Sequence, residues 1–486
     1  MKIRNILIII LLLALVLRVY GLGDQSIWID EGFSSYATKN IIEKGIPLMD
    51  SGREYNSYSA FHYPLAAFAI TFGFSDVVLR FYSVIFGLLM IYLAFILGKE
   101  FFGSNRIGLF AAIIIAFSIW EIGWSRQIRS YQQLQFFFFL SLLFMKRLFD
   151  KPNFKYALLF LVSSYITILT HPFGYSLIGI FIIMFLFYLI FERKKFISRI
   201  KQLLVEKNIS KTSKILLSII TFGLLAFLLF ISANLFLKLN PNGLNYATKY
   251  FLFLKSDYRM LFYLGIIGFF LSLQNYKKTL FITLAFIIPY IFITNYVYLI
   301  QFRYLFLLFP VLTLFTSVII DRILELKTKR FNLILQIILL GIIFLTIFSS
   351  GFVLIPEKTV FLERETPQPN FKGAYEFILE NDSNNSTLIA ANTVPAILYY
   401  KNPDFWLRYS LTGKPINYTS DVYTGSPAII NLNNITSINS SYYLVIDQLG
   451  MNRINPEVRE YINNNLSLEW SDASNYWSKI WVFKNT

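Results

Sequence analysis

The 486-residue chain has no cysteine and only two histidines. The missing cysteines exclude disulfides, thiolate nucleophiles and cysteine-based zinc sites together. Neither His62 nor His171 stands at a metal-ligand spacing, so no resident metal or other cofactor is expected, and dependence on a divalent cation is left open. Acids are also scarce: 28 Asp and Glu stand against 44 Lys and Arg, a formal net charge of +16. On a soluble protein that excess would point to nucleic acid. Here the basic residues gather in short segments between apolar runs, so no nucleic-acid partner is expected.

What is present is apolar bulk. Hydrophobic residues make up 56% and aromatic residues 18%, more than a soluble domain carries. A spanning helix needs about 20 apolar residues, and runs of that kind predict eleven spans, near 4–22, 78–98, 107–124, 131–149, 155–171, 173–191, 215–237, 260–274, 279–295, 301–320 and 331–354. The span at 131–149 is weakest at its start, where Gln132, Gln133 and Gln135 occupy the first turn. The first run continues into Arg18-Val19-Tyr20-Gly21 without a small-residue cleavage pattern. It reads as an uncleaved helix with Arg18 snorkelling to the interface.

Charge asymmetry sets the orientation. Segment 192–214 holds Arg193, Lys194, Lys195, Arg199, Lys201, Lys207, Lys211 and Lys214. The positive-inside rule makes it cytoplasmic, together with the N-terminus. Eleven spans then put the C-terminus outside a cell (plasma) membrane. The expected organisation is a transmembrane domain over 1–354, a linker over 355–370 and an extracytoplasmic domain over 371–486. An outer loop over 23–77 carries Tyr36, Ala37, Asn40, Ile41 and Lys44, spaced for a short helix on the membrane surface. In the tail, Phe371, Ala374, Tyr375, Phe377 and Ile378 have helical spacing, while Leu388 to Ala391, Tyr442 to Ile446 and Trp481 to Phe483 read as strands. N-x-[ST] triplets at Asn381, Asn384, Asn385, Asn417, Asn434, Asn439 and Asn465 fit an outward-facing domain or an Asn-rich composition. The fold class is an α-helical polytopic membrane protein with a C-terminal α/β domain.

Ionisable groups cluster at the outer span ends, where they are costly unless used or solvated. The first outer loop opens on Trp28-Ile29-Asp30-Glu31 and closes on Phe61-His62-Tyr63-Pro64-Leu65. Asp30 also suits the N-cap of the helix that follows. Further along come Leu79-Arg80, then Ser125-Arg126-Gln127-Ile128-Arg129-Ser130-Tyr131, then Thr170-His171-Pro172-Phe173-Gly174, then Arg303-Tyr304-Leu305 with Pro310. Glu121 near the outer end of the third span reads as a solvated helix-end carboxylate, or as a second acid or metal ligand beside Asp30.

In this order and sidedness the motifs resemble the membrane glycosyltransferases that use lipid-phosphate-linked sugars. These are the protein O-mannosyltransferases and the aminoarabinose transferase of lipid A, with the GT-C fold. The likeness covers residues 1–310. No W-W-D-Y-G motif is present, which separates the chain from the oligosaccharyltransferase branch. The resemblance implies transfer of one sugar, commonly mannose, from a polyprenyl or dolichyl monophosphate to a protein, glycan or lipid acceptor outside the membrane, with inversion. It assigns the general base to Asp30 with Glu31 orienting it, and the donor phosphate to Arg129 and Arg303, with Tyr304, Arg126 and Arg80 behind them. His62, Tyr63, His171 and Glu121 would position substrate. A lipid-linked glycan polymerase or ligase is the enzymatic alternative; a transporter, or a non-catalytic membrane anchor presenting the tail, is the non-enzymatic one. A transporter would favour charged or broken spans at the bilayer midplane, whereas the charges here sit at span ends.

Overall fold

The first outer loop is not a loop for most of its length. In the computed structural model it holds two helices, α2 (Ile29–Lys44) and α3 (Ser59–Phe72), between α1 (Ile3–Val19) and α4 (Asp76–Phe102). The structure describes residues 3–55, 57–193, 243–296, 300–325, 334, 336–338, 340–341, 344, 351–358, 360, 369–382, 385–409, 418–473 and 478–485. The expected span 215–237, most of the span 331–354, the segment 194–214 and the triplets at Asn384 and Asn417 lie outside the described residues.

Two compact units form. The first comprises Met1–Arg18, Val84–Ser125 and Ser130–Pro356; the second comprises Val19–Ser83, Arg126–Arg129 and Glu357–Thr486. The first unit is helical, with α5 (Asn105–Phe117), α6 (Ile119–Ser125), α7 (Tyr131–Asp150), α8 (Phe154–Thr170), a 3-10 turn Pro172–Tyr175 and α9 (Ser176–Phe191). Then come α10 (Gly243–Asp257), α11 (Arg259–Ser272), α12 (Tyr276–Tyr296), a 3-10 segment Phe302–Leu308 and α13 (Phe309–Glu325). Among the described residues four helices are long and apolar enough to cross a membrane: Asp76–Phe102, Pro172–Phe191, Tyr276–Asn295 and Phe302–Glu325. Asn105–Phe117, Phe154–Thr170 and Arg259–Ser272 are shorter apolar helices.

Close helix packing, which replaces hydrophobic expulsion as the glue inside lipid, depends on glycine here. A Cβ on Gly268 of α11 would lie 1.9 Å from the Phe315 carbonyl oxygen of α13, so the two backbones touch only because that position is bare. The sequence predicts one helix over 107–124; the structure breaks it at Ser118. There Ile119 N donates to Gly351 O (2.8 Å) and Val353 N donates to Phe117 O (2.9 Å), a short antiparallel bridge. Non-helical backbone at such depth survives because another segment satisfies it. The break leaves the last carbonyls of α5 without helical partners. Arg18 supplies them: its guanidinium donates to Ile115 O (3.2 Å), Ala116 O (2.8 Å) and Ala14 O (3.2 Å). Arg18 is fully buried, so it caps a broken helix and does not snorkel.

The tail portion of the second unit is a three-layer α/β body. Its elements are α14 (Phe371–Asn381), β1 (Thr387–Ala390), α15 (Thr393–Tyr399), β2 (Phe405–Leu407), β3 (Ala428–Ile429), α16 (Leu432–Thr436), β4 (Tyr442–Asp447), α17 (Gln448–Arg453), α18 (Pro456–Asn465), β5 (Ser467–Asp472) and β6 (Ile480–Lys484). The sheet order is β3-β2-β1-β4-β6-β5. The first four strands are parallel, with Ile389 opposite Leu444; β6 and β5 are antiparallel. A parallel sheet covered on both faces reads as unbroken apolar strands, which explains why every residue of β4 is buried. Period-two alternation splits the cores: Leu388, Tyr443 and Val445 pack with Phe371, Tyr375 and Ile378 of α14, while Ile389, Leu444 and Ile446 pack with Val458 and Ile462 of α18.

The expected surface helix exists as α2, but it starts early enough to include Asp30 and Glu31. Tyr36 and Ala37 pack with Met49, Val394 and Ile397, so the buried face of α2 meets protein. Phe61 to Leu65, which close the first outer loop in the sequence, are helical within α3, and that helix tolerates Pro64 inside it.

Candidate functional site

Trp28 occupies the cap position of α2 with extended backbone (φ −87°, ψ 169°). Asp30 therefore sits in the first turn instead of capping it. The two neighbouring acids are treated in opposite ways. Glu31 is fully buried, and both oxygens are consumed: Oε1 accepts from Arg80 Nε (3.0 Å) and Ile128 N (2.9 Å), Oε2 from Arg80 Nη2 (2.8 Å) and Trp28 N (3.4 Å). Arg80 completes its set by donating to Leu22 O, Gln25 O and Ser26 O. Five N–H groups make five bonds, leaving none for a phosphate.

Asp30 stays 22% exposed. Its main-chain oxygen accepts from Arg129 Nη1 (2.9 Å), which also reaches Ser34 Oγ (3.2 Å), and Arg129 Nη2 stands 3.8 Å from the Asp30 carboxylate. The Arg129 guanidinium lies 6.0 Å from the centre of the Tyr58 ring. Arg126 donates to the carbonyls of Tyr20, Gly21, Glu357 and Lys358. It ties the end of the first helix segment to the start of the tail, and burial draws its pKa down to about 10.

His62 is buried, with Nδ1 donating to Ser57 O (3.0 Å), which leaves Nε2 as the lone-pair nitrogen. Burial, then the positive charge of Arg129, lowers its pKa to about 3. Tyr63, its neighbour in sequence, is exposed. Tyr399 of the tail bridges this region: its hydroxyl accepts from Ile27 N (2.9 Å) and donates to Asp76 (2.8 Å).

The remaining expected residues belong to the first unit. Glu121 is fully buried, contrary to its reading as a solvated helix end. Its carboxylate accepts from Gln135 Nε2 (2.9 Å) and Gln132 Nε2 (3.3 Å). The glutamines that weakened the apolar run of α7 are thus the partners of a buried acid, three residues apart on one helix face. Gln135 also donates to Phe306 O (3.0 Å) in the 3-10 segment that carries Arg303 and Tyr304. His171 ends α8 and accepts Phe173 N at Nδ1 (3.2 Å). Tyr304 packs edge-on against Phe173 at 4.8 Å, with His171 at 6.3 Å and Tyr131 at 6.5 Å. Arg303 is half-buried. Among the described residues no group of three or more His, Asp or Glu could hold a metal.

Ser34, Tyr58 and the Ile128 amide were not singled out in the sequence. Ser34 was legible in principle: once α2 starts at Ile29, it falls four residues after Asp30 on the same face.

The helical membrane body with an α/β tail is the fold of the GT-C membrane glycosyltransferases. Residues 60–210 match the family model described as dolichyl-phosphate-mannose-protein mannosyltransferase. An uncharacterised protein of Aquifex aeolicus (strain VF5) is 25% identical over 175 residues, so the match spans about a third of each chain (35% of both). Among solved structures, the oligosaccharyltransferase of Archaeoglobus fulgidus tethered with an acceptor peptide superposes with a TM-score of 0.60 at 11% identity, covering 100% of this chain and 74% of that one. ArnT from Cupriavidus metallidurans bound to undecaprenyl phosphate gives 0.55 at 13% identity, covering 99% and 98%. At such identities the likeness is one of fold.

Proposed function

We propose that the protein is a membrane glycosyltransferase. It moves one sugar, a hexose such as mannose, from a polyprenyl or dolichyl monophosphate to a hydroxyl of a protein, glycan or lipid outside the membrane. The observation that carries the reading is the division of labour between adjacent acids: Glu31 is locked, while Asp30 is open and steadied through Arg129. A base must reach its proton, and of these two adjacent acids Asp30 is the one whose carboxylate keeps solvent access. In the proposed step the acceptor oxygen bonds to the anomeric carbon as the carbon–oxygen bond to phosphate breaks. The acceptor proton goes to Asp30, and the carrier leaves as its monophosphate with inversion.

The phosphate departs without a proton but needs its charge held, for which a guanidinium is the best planar donor. Arg129, held beside Asp30, is one candidate for that task; Arg303 with Tyr304 is the other, proposed from its sequence motif. The committed donors of Arg80 and Arg126 favour structural roles for both. The fold likeness to a protein solved with undecaprenyl phosphate and the family match over residues 60–210 support a lipid-phosphate donor. The test is to incubate detergent-purified protein with a panel of polyprenyl-monophosphate sugars and measure release of polyprenyl phosphate. Turnover of one donor, lost in Asp30→Asn, is the expected result. No turnover of any monophosphate donor, with turnover of a diphosphate-linked glycan, would favour the polymerase or ligase reading.

A further inference from the structure

Asp30, Phe33 and Ser34 occupy one face of α2 at i, i+3 and i+4. Arg129 is held against Asp30 and Ser34. Against Phe33 rests Tyr423 of the tail, the ring centres 4.4 Å apart. Tyr55 lies on Phe33 nearly parallel (6.5 Å, 21°) and tilts toward His62 at 5.6 Å. Phe33, Tyr55 and Tyr423 are all half-buried, as is Asp30.

The loop that presents Tyr423 is built to hold it. Asp421 Oδ1 accepts from Tyr423 N (3.0 Å), Thr424 N (2.8 Å), Thr424 Oγ1 (3.0 Å) and Thr393 Oγ1 (3.1 Å). The loop is then pinned to the first outer segment: Ser51 N donates to Tyr423 O (3.1 Å) and Ser51 Oγ to Val422 O (2.6 Å). Burial raises the pKa of the Tyr423 phenol, and the charge of Asp30 adds a smaller push in the same direction. A rigid scaffold that leaves aromatic faces partly open beside an open carboxylate is arranged for recognition, since packing alone would bury them.

We propose that Tyr423, Phe33 and Tyr55 form the acceptor subsite, and that it takes a pyranose ring whose hydroxyl meets Asp30. The tail then supplies part of the site, and the inference rests on Asp30 being the base. A pyranose has an apolar C–H face, which suits clustered rings, and a hydroxyl rim, which suits a phenol and a carboxylate. A peptide acceptor would be held mainly through its backbone, by a strand edge or a nest of amides; this surface offers rings.

Saturation-transfer NMR on the full-length protein in detergent tests this without turnover. The probes are methyl α-D-mannopyranoside, methyl β-D-glucopyranoside and a Ser/Thr peptide. A glycoside should receive saturation at its ring C–H protons. Tyr423→Ala should weaken binding about tenfold, the scale of one lost aromatic contact, while Tyr423→Phe should retain it. Tyr55→Ala, outside the Asp421 loop, should also weaken it if Tyr423→Ala disturbs folding. Silence from both glycosides, binding unchanged in both alanine variants, or a Tyr423-dependent signal from the peptide alone would overturn the proposal. Asp30→Asn separates the two readings: Tyr423-dependent glycoside binding together with undiminished turnover in Asp30→Asn removes the base and upholds the subsite.

Discussion

Arg80 holds Glu31 by two parallel bonds of 3.0 and 2.8 Å, with both side chains buried. This pair fixes the first turn of α2. Through Ile128 N it also fixes the segment that carries Arg129. Removing one partner strands a buried charge, which costs about 3–5 kcal/mol. Arg80→Ala is expected to lower the melting temperature of purified protein sharply. A variant that melts like wild type would show that the pair contributes little to holding the loop.

For Asp30 the expected signature is the opposite. Asp30→Asn keeps size and most hydrogen bonding but cannot accept a proton. Turnover should fall about 100- to 10,000-fold, the range for losing a general base, with little change in melting temperature. Near-normal turnover would remove Asp30 as the base. Glu31 would not replace it without breaking its bonds to Arg80.

Arg303→Ala should impair donor use by about 2–4 kcal/mol, the cost of losing a charged hydrogen bond in a poorly solvated site. Arg303→Lys should rescue it only in part, because an ammonium lacks the planar fork. Full activity in the alanine variant would take Arg303 out of phosphate binding.

His62 gives a pH test. Its folded pKa, about 3, lies below the ordinary value of 6.5. The unfolded chain therefore binds the proton more readily, and His62 favours the folded state fully only above pH 6.5. That contribution is lost as pH falls toward 3, at up to about 1.4 kcal/mol per pH unit. Asp447, raised to about 6 by burial, acts in the opposite sense, so the informative quantity is the difference between wild type and His62→Gln. Relative to His62→Gln, wild type should lose stability as pH falls from 6.5 to 3, and the difference should be independent of pH above 6.5. A flat difference throughout would mean that His62 titrates normally.

The charge asymmetry of the sequence predicts the sidedness. Protease added to intact spheroplasts should remove residues 371–486 and spare 192–214. A protected tail would reverse the orientation and place the acceptor on the other side.

The sequence by itself marked the apolar helical character of the chain, the strands at Tyr442 to Ile446 and Trp481 to Phe483, and the identity of the residues worth testing, because burial period and charge placement are local properties of the chain. It also carried the likeness to lipid-phosphate glycosyltransferases, through short motifs in order. Tertiary structure alone decided which acid is open. Asp30 and Glu31 are adjacent and alike in chemistry, and they differ only because Arg80, 49 residues from Glu31, and Ile128, 97 residues away, converge on one of them. The same holds for Arg18, which reads as an interfacial cation until the break at Ser118 gives it carbonyls to cap. Glu121 reads as solvated until α7 brings two glutamines to it. In each case the fate of a buried charge depends on partners distant in sequence, since desolvation must be offset by hydrogen bonds that only the folded chain assembles.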